Sequence, residues 1–239
     1  MGFFSRKYCD VCGEKIGLLG NRKLEDGNLC KECAQKLSPF FDDRRNSTVD
    51  EIKEQLSYRE ENEQSVAVFN PTKVIGGSNL ICIDEDEHKW LFSRTRKWRD
   101  DNPDIISFSQ VTGCDIDIDE NKEEIYTEND EGEEESYNPP RYERTYDFNI
   151  TIYINSPWFD EIRFKLNDEV IESPYSVVYK EAERDAVEIK DTLMGLRDLA
   201  RGEILEVNIP KAPVICPNCG ATTMLDTKGC CEYCGGPVS

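Results

Sequence analysis

The sequence predicts an α+β chain in which a small four-cysteine module at each end flanks an antiparallel β-domain closed by one amphipathic helix. Each end carries two Cys-x-x-Cys pairs, the middle holds short runs of alternating apolar residues, and one stretch from Val178 has apolar residues in steps of three and four. A period of two is typical of strands, and a period near 3.6 is typical of helices. The predicted boundaries are 1–40 for the first module, 41–64 for a linker helix, 65–203 for the β-domain and 204–239 for the second module.

The paired cysteines have the spacing of metal sites built from four thiolates. A tetrahedral ion needs four soft donors at about 2.3 Å, and one Cys-x-x-Cys turn supplies two of them. We therefore predict two zinc ions, with iron as the alternative that suits the same thiolate shell. The predicted ligands are Cys9, Cys12, Cys30 and Cys33 in the first module and Cys216, Cys219, Cys231 and Cys234 in the second.

The second module offers two neighbouring cysteines for one ligand position. Cys231 is favoured because two residues separate it from Cys234, as in the other Cys-x-x-Cys pairs. Gly235 then follows this pair directly. Cys230 is then spare, and the sequence leaves this choice open.

The net charge indicates which partners are favoured, and the N-terminal residues indicate where the protein is located. The 239 residues carry a formal net charge of −20, and eight bound thiolates with two divalent ions would bring it to roughly −24. Such a charge disfavours nucleic acid and anionic lipid and favours basic partners. Met1 to Lys7 lack the apolar core of a signal peptide, and no run has the length of a membrane span, so we expect a cytoplasmic protein.

The central region predicts one linker helix followed by about seven strands. Ser47 or Thr48 can cap a helix from Val49 to about Glu61, because their hydroxyls accept from the first free backbone N–H groups. The closing helix has apolar residues along one face and is expected to end at Gly202. The predicted strands start from the runs Val66–Phe69, Asn79–Ile83, Lys89–Phe92, Ile105–Phe108, Val111–Ile118, Tyr146–Ile154 and Ile162–Leu166.

An acidic segment interrupts the strands at about 119–143. It is almost free of apolar residues, so it cannot bury enough surface to offset the entropy of ordering. We therefore predict a mobile loop inserted between two strands.

Both end modules resemble known zinc-binding domains. The N-terminal 40 residues, with Cys9-Asp10-Val11-Cys12-Gly13 and Cys30-Lys31-Glu32-Cys33, look like a zinc-finger domain of unknown function found at the N-terminus of many small bacterial proteins. This resemblance implies a bacterial, intracellular, zinc-binding protein, and the knuckle, hairpin and helix suggest a treble-clef-like module. The C-terminal segment, with Cys216-Pro217-Asn218-Cys219-Gly220, resembles a zinc ribbon.

The order of elements in the middle resembles the pleckstrin-homology-like fold, with seven antiparallel strands and one closing helix. The resemblance implies a β-barrel that binds protein or lipid. Lipid binding is the weaker expectation, because the loop from Asn70 to Asn79 holds only Lys73 as a basic residue.

These features favour a non-enzymatic adaptor or regulatory protein that binds another protein. Four cysteines at each site leave no open position for catalysis, and His88 is the only histidine. Cys82 and Cys114 lie in apolar strand patterns and are expected to be buried. Two alternatives remain: a nucleic-acid-associated protein using the basic run from Arg94 to Arg99, and a membrane-surface protein using the β-domain.

Overall fold

The structure is a computed structural model that describes residues 7–129, 132–208, 214–223 and 230–237, with side chains omitted for 203–208. The chain divides into two compact units, Met1–Asp198 and Leu199–Ser239. The helices are α1 (Lys31–Gln35), α2 (Val49–Val68) and α3 (Val177–Asn208). The strands are β1 (Arg22–Lys23), β2 (Asn28–Leu29), β3 (Lys73–Gly76), β4 (Leu80–Asp84), β5 (Lys89–Ser93), β6 (Ile106–Ser107), β7 (Val111–Glu128), β8 (Glu134–Ile154), β9 (Glu161–Lys165), β10 (Val214–Ile215) and β11 (Thr222–Thr223).

The central strands form two antiparallel sheets. One has the order β3-β4-β5-β6 and the other β7-β8-β9. The hairpin predicted on either side of residues 84–88 is the β4–β5 pair, in which Cys82 lies opposite Leu91. The predicted barrel closure is not found in the described part of the chain, because the two groups of strands belong to separate sheets.

The acidic segment is a two-stranded ribbon and not the predicted loop. β7 and β8 pair from Val111 opposite Ile154 to Glu128 opposite Glu134, with shifts of register between Val111 and Gly113 and between Ile125 and Tyr126. Cross-strand contacts take the place of a core: Arg144 Nη1 lies 2.5 Å from a Glu120 carboxylate oxygen. Such pairs stabilise a sheet without burial. We call residues 115–129 and 132–147 the ribbon.

Helix α2 starts at the predicted residue and continues further than predicted. Thr48 caps it through a capping box with Glu51, whose carboxylate accepts from the Thr48 backbone N–H at 2.7 Å. The helix ends at Val68, so the strand predicted from Val66 is wrong. Val66 is buried against β4 and β5 as a helical residue, because a short apolar run fits a buried helix as well as a strand.

Helix α3 covers the second sheet with the predicted face and passes the predicted end. Ala186, Ile189 and Leu193 are fully buried, and the Tyr179 ring meets the Phe148 ring edge-on at 5.0 Å. Gly202 does not end the helix, which continues to Asn208. A glycine inside a helix costs only about 1 kcal/mol relative to alanine, and the helix tolerates that cost here.

A buried polar network joins α2 to the segment after α1 and to the loop before β6. Asp104 is 1% exposed. Its carboxylate accepts from Arg59 Nη1 at 2.7 Å, Ser38 Oγ at 2.8 Å and Tyr58 OH at 3.2 Å. Arg59 Nε donates to the Lys36 carbonyl at 3.2 Å. The N-terminal module is thus fastened to the central sheets through one carboxylate and one guanidinium.

Replacing Asp104 by alanine should lower the free energy of unfolding by about 3–5 kcal/mol, because it leaves the Arg59 guanidinium buried without its counter-charge. Urea denaturation followed by tryptophan fluorescence measures this, since Trp90, Trp98 and Trp158 all lie in the first unit.

The matched control is Asp50→Ala, which removes an exposed carboxylate 3.0 Å from Lys53 Nζ. It should change stability by less than about 1 kcal/mol. Equal effects of the two substitutions would contradict the role given to Asp104.

Candidate metal centres

Cys9 and Cys12 lie on a tight turn whose backbone is fixed by two hydrogen bonds. The Gly13 N–H donates to the Cys9 carbonyl at 2.8 Å, and the Cys9 N–H donates to the Glu14 carbonyl at 2.8 Å. Gly13 has φ +76°, a conformation that glycine adopts without the cost of a Cβ clash. The turn therefore points both thiols to one side.

Cys30 and Cys33 lie at the start of α1, after the β1–β2 hairpin. Cys30 is the N-cap residue, and its sulfur accepts from the Cys33 N–H at 3.3 Å. The Cys30 N–H in turn donates to the Cys9 sulfur at 3.3 Å. Backbone N–H groups at a helix start favour negative charge, so this position suits thiolates.

Two further contacts hold the hairpin against this site. Asp10 accepts from the Asn28 N–H at 2.6 Å, which joins the first knuckle to β2. The backbone of Gly27 lies close to the side chains of Val49 and Asp10. A Cβ added at Gly27 would lie 2.5 Å from Val49 Cγ2 and 2.9 Å from an Asp10 carboxylate oxygen. Sequence reasoning missed Asp10 and Gly27. The signal for Gly27 was its place in the Asp-Gly-Asn turn, which allows close approach but does not identify the neighbour.

The four sulfurs of the N-terminal cluster (Cys9, Cys12, Cys30 and Cys33) lie within 4.8 Å of one another. Cys12 and Cys30 are 3.7 Å apart. A disulfide would place its sulfurs at about 2.05 Å. The edge of a tetrahedron with metal–sulfur bonds of about 2.3 Å is about 3.8 Å, so the separation is that of two ligands to one ion.

The C-terminal cluster (Cys216, Cys219, Cys231 and Cys234) is built from two knuckles of the same kind. Gly220 donates to the Cys216 carbonyl and Gly235 to the Cys231 carbonyl, both at 2.8 Å. The two glycines have φ +72° and +67°. Strand β10 pairs with β11 across the first knuckle, and Cys230 pairs with Pro237 across the second.

The C-terminal sulfurs also have the spacing of ligands to one ion. Cys216 and Cys234 are 3.7 Å apart, Cys219 and Cys231 are 3.8 Å apart, and all four lie within 4.8 Å. The structure brings Cys231 into this group and not Cys230, whose backbone instead forms the bridge to Pro237.

Several thiolates in one cluster repel one another, and a bound cation would reduce this repulsion. Burial raises the pKa of the Cys9 thiol, but N–H donors of Cys12, Cys30 and Val11 outweigh it and lower the pKa to about 7. Burial and the neighbouring sulfurs raise the pKa of Cys33. One thiolate therefore forms readily, and the next ones need a positive ion that cancels their mutual repulsion.

The C-terminal cluster shows the same asymmetry. Burial raises the pKa of Cys231, whereas the N–H groups of Cys234 and Tyr233 lower it, to a final value of about 6. The pKa of Cys234 is about 12: backbone donation from Gly236 lowers it, and the sulfurs of Cys216 and Cys219 raise it further. Each four-cysteine group could thus hold one metal ion with a complete four-sulfur shell.

Cys82, Cys114 and His88 belong to neither four-sulfur group. Burial raises the pKa of Cys82 and of Cys114 to about 11, and both are nearly inaccessible, as expected for cysteines in apolar strands. His88 lies in the β4–β5 turn with its ring stacked 6.0 Å from the Phe108 ring.

Two residues of the basic run from Arg94 to Arg99, Trp98 and Arg99, make packing contacts within the fold. Trp98 is 5% exposed and meets the Phe69 ring edge-on at 5.6 Å. Arg99 covers the Trp98 ring at 4.0 Å and donates to the Phe69 carbonyl at 3.0 Å. The only aromatic residue of the run is therefore covered within the fold.

Residues 7–55 match the family described as Domain of unknown function (DUF4428). The match contains the whole N-terminal cluster and the first turns of α2. No curated protein and no solved structure matches the chain. Among the described residues, no helix has the length and apolar character needed to cross a membrane.

As the pH falls, both clusters should lose their metal. A thiolate with a lowered pKa stabilises the folded site above the unfolded value of about 8.5, and this contribution is lost as the pH falls through the lowered pKa of the folded site. Cys9 in the N-terminal cluster and Cys231 in the C-terminal cluster both have such a lowered pKa. Cobalt-loaded protein, followed by thiolate-to-cobalt absorption against pH, measures the release.

Two double variants separate the signals. Cys12→Ser/Cys33→Ser leaves only the C-terminal cluster, and Cys219→Ser/Cys234→Ser leaves only the N-terminal one. Metal binding by either cluster that does not weaken as the pH falls would contradict the role given to its thiolates.

Proposed function

We propose that both clusters hold structural zinc and that the chain is a non-enzymatic adaptor or regulatory protein which binds another protein. The observation that carries the proposal is the pair of four-sulfur groups, each with ligand spacing. Catalytic zinc keeps a position for water or substrate, whereas four cysteines fill the tetrahedral shell. Knuckle, hairpin and helix make the first module treble-clef-like, and the paired knuckles make the second a zinc ribbon.

The chemistry elsewhere supports a role without catalysis. The thiols of Cys82 and Cys114 are buried, with pKa values raised to about 11, so they are poor nucleophiles at neutral pH. The ring of His88 stacks on Phe108 in a hairpin turn.

The ribbon is the surface that we assign to a protein partner. Between residues 115 and 147 the sequence holds fourteen acidic and three basic side chains. Side chains along each strand alternate between the two faces of the ribbon. On one face, Asp119 of β7 lies opposite Asp147 of β8, and Glu123 lies opposite Glu143. Lys165 offsets Asp147 at 2.6 Å, but the excess negative charge favours a basic partner.

The two alternatives have weaker support. Base stacking on Trp98 would require it to leave the Phe69 and Arg99 contacts. Lys73, the only basic residue between Asn70 and Asn79, lies at the start of β3 and pairs with Glu188 at 3.0 Å. The segment before β4 therefore offers no unpaired cation to a lipid headgroup.

The purified chain should contain about two zinc ions. Cys231→Ser should halve the zinc content, whereas the adjacent Cys230→Ser should leave it unchanged, because only the Cys231 sulfur lies in the four-sulfur group. Elemental analysis of the two variants measures this. A visible absorption band would indicate iron, and zinc near zero with oxidised cysteines would refute the proposal.

Shortening the ribbon should remove protein partners without changing the metal content. A variant in which an Asn-Gly turn replaces residues 121–145 keeps the pair of Glu120 with Tyr146 as the last one before the turn. Quantitative crosslinking and affinity purification from the producing cells compares its partners with those of the full chain.

A second variant tests charge with the ribbon intact. Asp117→Asn/Asp119→Asn/Glu123→Gln removes three exposed carboxylates from one face. We expect basic partners to be lost in both variants. Capture of the same proteins by all three chains would contradict the assignment of the partner site to the ribbon.

A further inference from the structure

The loop between the first knuckle and β1 exposes two adjacent leucines. Leu18 is 94% exposed and Leu19 is 89% exposed, whereas Ile16 just before them is buried. The turn is closed by a hydrogen bond from the Gly20 N–H to the Gly17 carbonyl at 3.1 Å. We call residues 17–20 the tip. It presents two large apolar side chains to water on an ordered turn.

A group of basic residues lies beside the tip. Arg22 and Lys23 form β1, and Arg44 and Arg45 belong to the short helix at Asp43–Asn46. Arg44 Nη1 donates to the Lys23 carbonyl at 3.1 Å, which holds the two pairs together. Lys31, at the start of α1, shares a recess with Arg22 and Arg44. The basic face is Arg22, Lys23, Lys31, Arg44 and Arg45.

In the part of the chain that the structure describes, none of the five cations is within ion-pair distance of a carboxylate. Glu25 lines a second recess, which lies between the Arg22–Lys23 pair and the Arg44–Arg45 pair. Burial, then the charges of Arg22 and Arg45, lowers the pKa of Arg44. The recess between the two pairs has a volume of about 590 Å³ and is wide enough for an anionic headgroup.

The tip and the basic face form one continuous surface. Arg22 Nη1 donates to the Leu19 carbonyl at 3.3 Å, so the guanidinium lies directly behind the exposed leucine. Tyr8 pairs with Lys15 across the base of the same loop and is 52% exposed. Tyrosine is enriched where a protein meets the headgroup layer of a membrane. The surface has exposed leucines at the tip and tyrosine and basic residues away from it. A lipid leaflet changes in the same way, from apolar acyl chains to polar headgroups.

We propose that this face of the N-terminal module docks onto an anionic phospholipid bilayer, with Leu18 and Leu19 inserted among the acyl chains and the basic face on the headgroups. This goes beyond the proposed adaptor function and does not depend on the ribbon. The partner is a bilayer because the leucines lie at a convex tip, which suits a deformable apolar medium.

Nucleic acid fits the same surface less well. Phosphates would satisfy the basic face but would leave both leucines in water. The local charge permits docking although the chain as a whole is acidic, since residues 7–47 hold eight basic and seven acidic side chains. Over a Debye length of about 8 Å at physiological salt, charges close to the bilayer contribute more than charges further away.

Vesicle flotation with the zinc-loaded full chain tests the proposal. Vesicles of phosphatidylcholine alone are compared with vesicles that also contain phosphatidylserine. We expect binding to the anionic vesicles and at least tenfold weaker binding to the neutral ones. Leu18→Ser/Leu19→Ser should reduce partitioning by at least about tenfold. Lys23→Glu/Arg45→Glu should reduce it by about 25-fold or more, because each basic residue near an anionic surface is worth about fivefold.

Two matched variants control for composition and charge. Val68→Ser/Val170→Ser removes two largely exposed apolar side chains elsewhere, at 77% and 69% exposure. Arg96→Glu/Lys97→Glu makes the same charge change on another exposed segment. Both should bind anionic vesicles within about threefold of the unmodified chain, and zinc content shows that every variant keeps its sites.

The following results would overturn the proposal. They are absent binding to anionic vesicles, equal binding to neutral ones, and equal losses in control and test variants. A single-stranded oligonucleotide and inorganic phosphate serve as competing anions. If either binds through the basic face while the leucine variant behaves like the unmodified chain, the surface recognises a soluble anion and not a bilayer.

Discussion

The structure of the N-terminal module depends on bringing four thiols into one group. Cys9, Cys30 and Cys33 are themselves buried in the module's apolar cluster, where Leu24, Leu29 and Ile52 pack around them. A cluster of this size buries little surface, so the sulfurs are its centre and not an addition to a finished core. Each thiolate raises the cost of the next, and a bound divalent ion would convert that repulsion into a crosslink between the knuckle and α1.

The effect of this crosslink reaches the central sheets by a short route. Ile52 of α2 belongs to the apolar cluster that contains three of these cysteines, and Arg59, two turns further along the same helix, pairs with Asp104. On the other side, Ser38 follows α1 and donates to the same carboxylate. Loss of the ion would loosen α1 and α2 together, which would leave Asp104 buried with fewer donors, an arrangement that the fold disfavours strongly.

The parts of the fold that follow local rules could be predicted, and the parts fixed by distant contacts could not. Cysteine spacing and the following glycines predicted three knuckles, because the metal and the turn constrain only a few adjacent residues. The helix cap was predicted to be Ser47 or Thr48 for the same reason, and the structure uses Thr48. The buried face of α2 was hidden, since Arg59 and Asn62 occupy it and no polarity pattern reveals partners about 40 residues away. The ribbon was missed because neither of its faces is buried, so its strands lack apolar alternation.

The ribbon and the N-terminal module differ in charge, and the net charge of the whole chain hides this difference. A net charge of −20 suggests a uniformly acidic protein, yet an excess of eleven acidic side chains lies between residues 115 and 147, while the N-terminal module is close to neutral. Within that module the hairpin and the helix at Asp43–Asn46 gather cations on one side. Because screening in salt limits each charged surface to its own neighbourhood, an average over the whole chain describes neither of these surfaces.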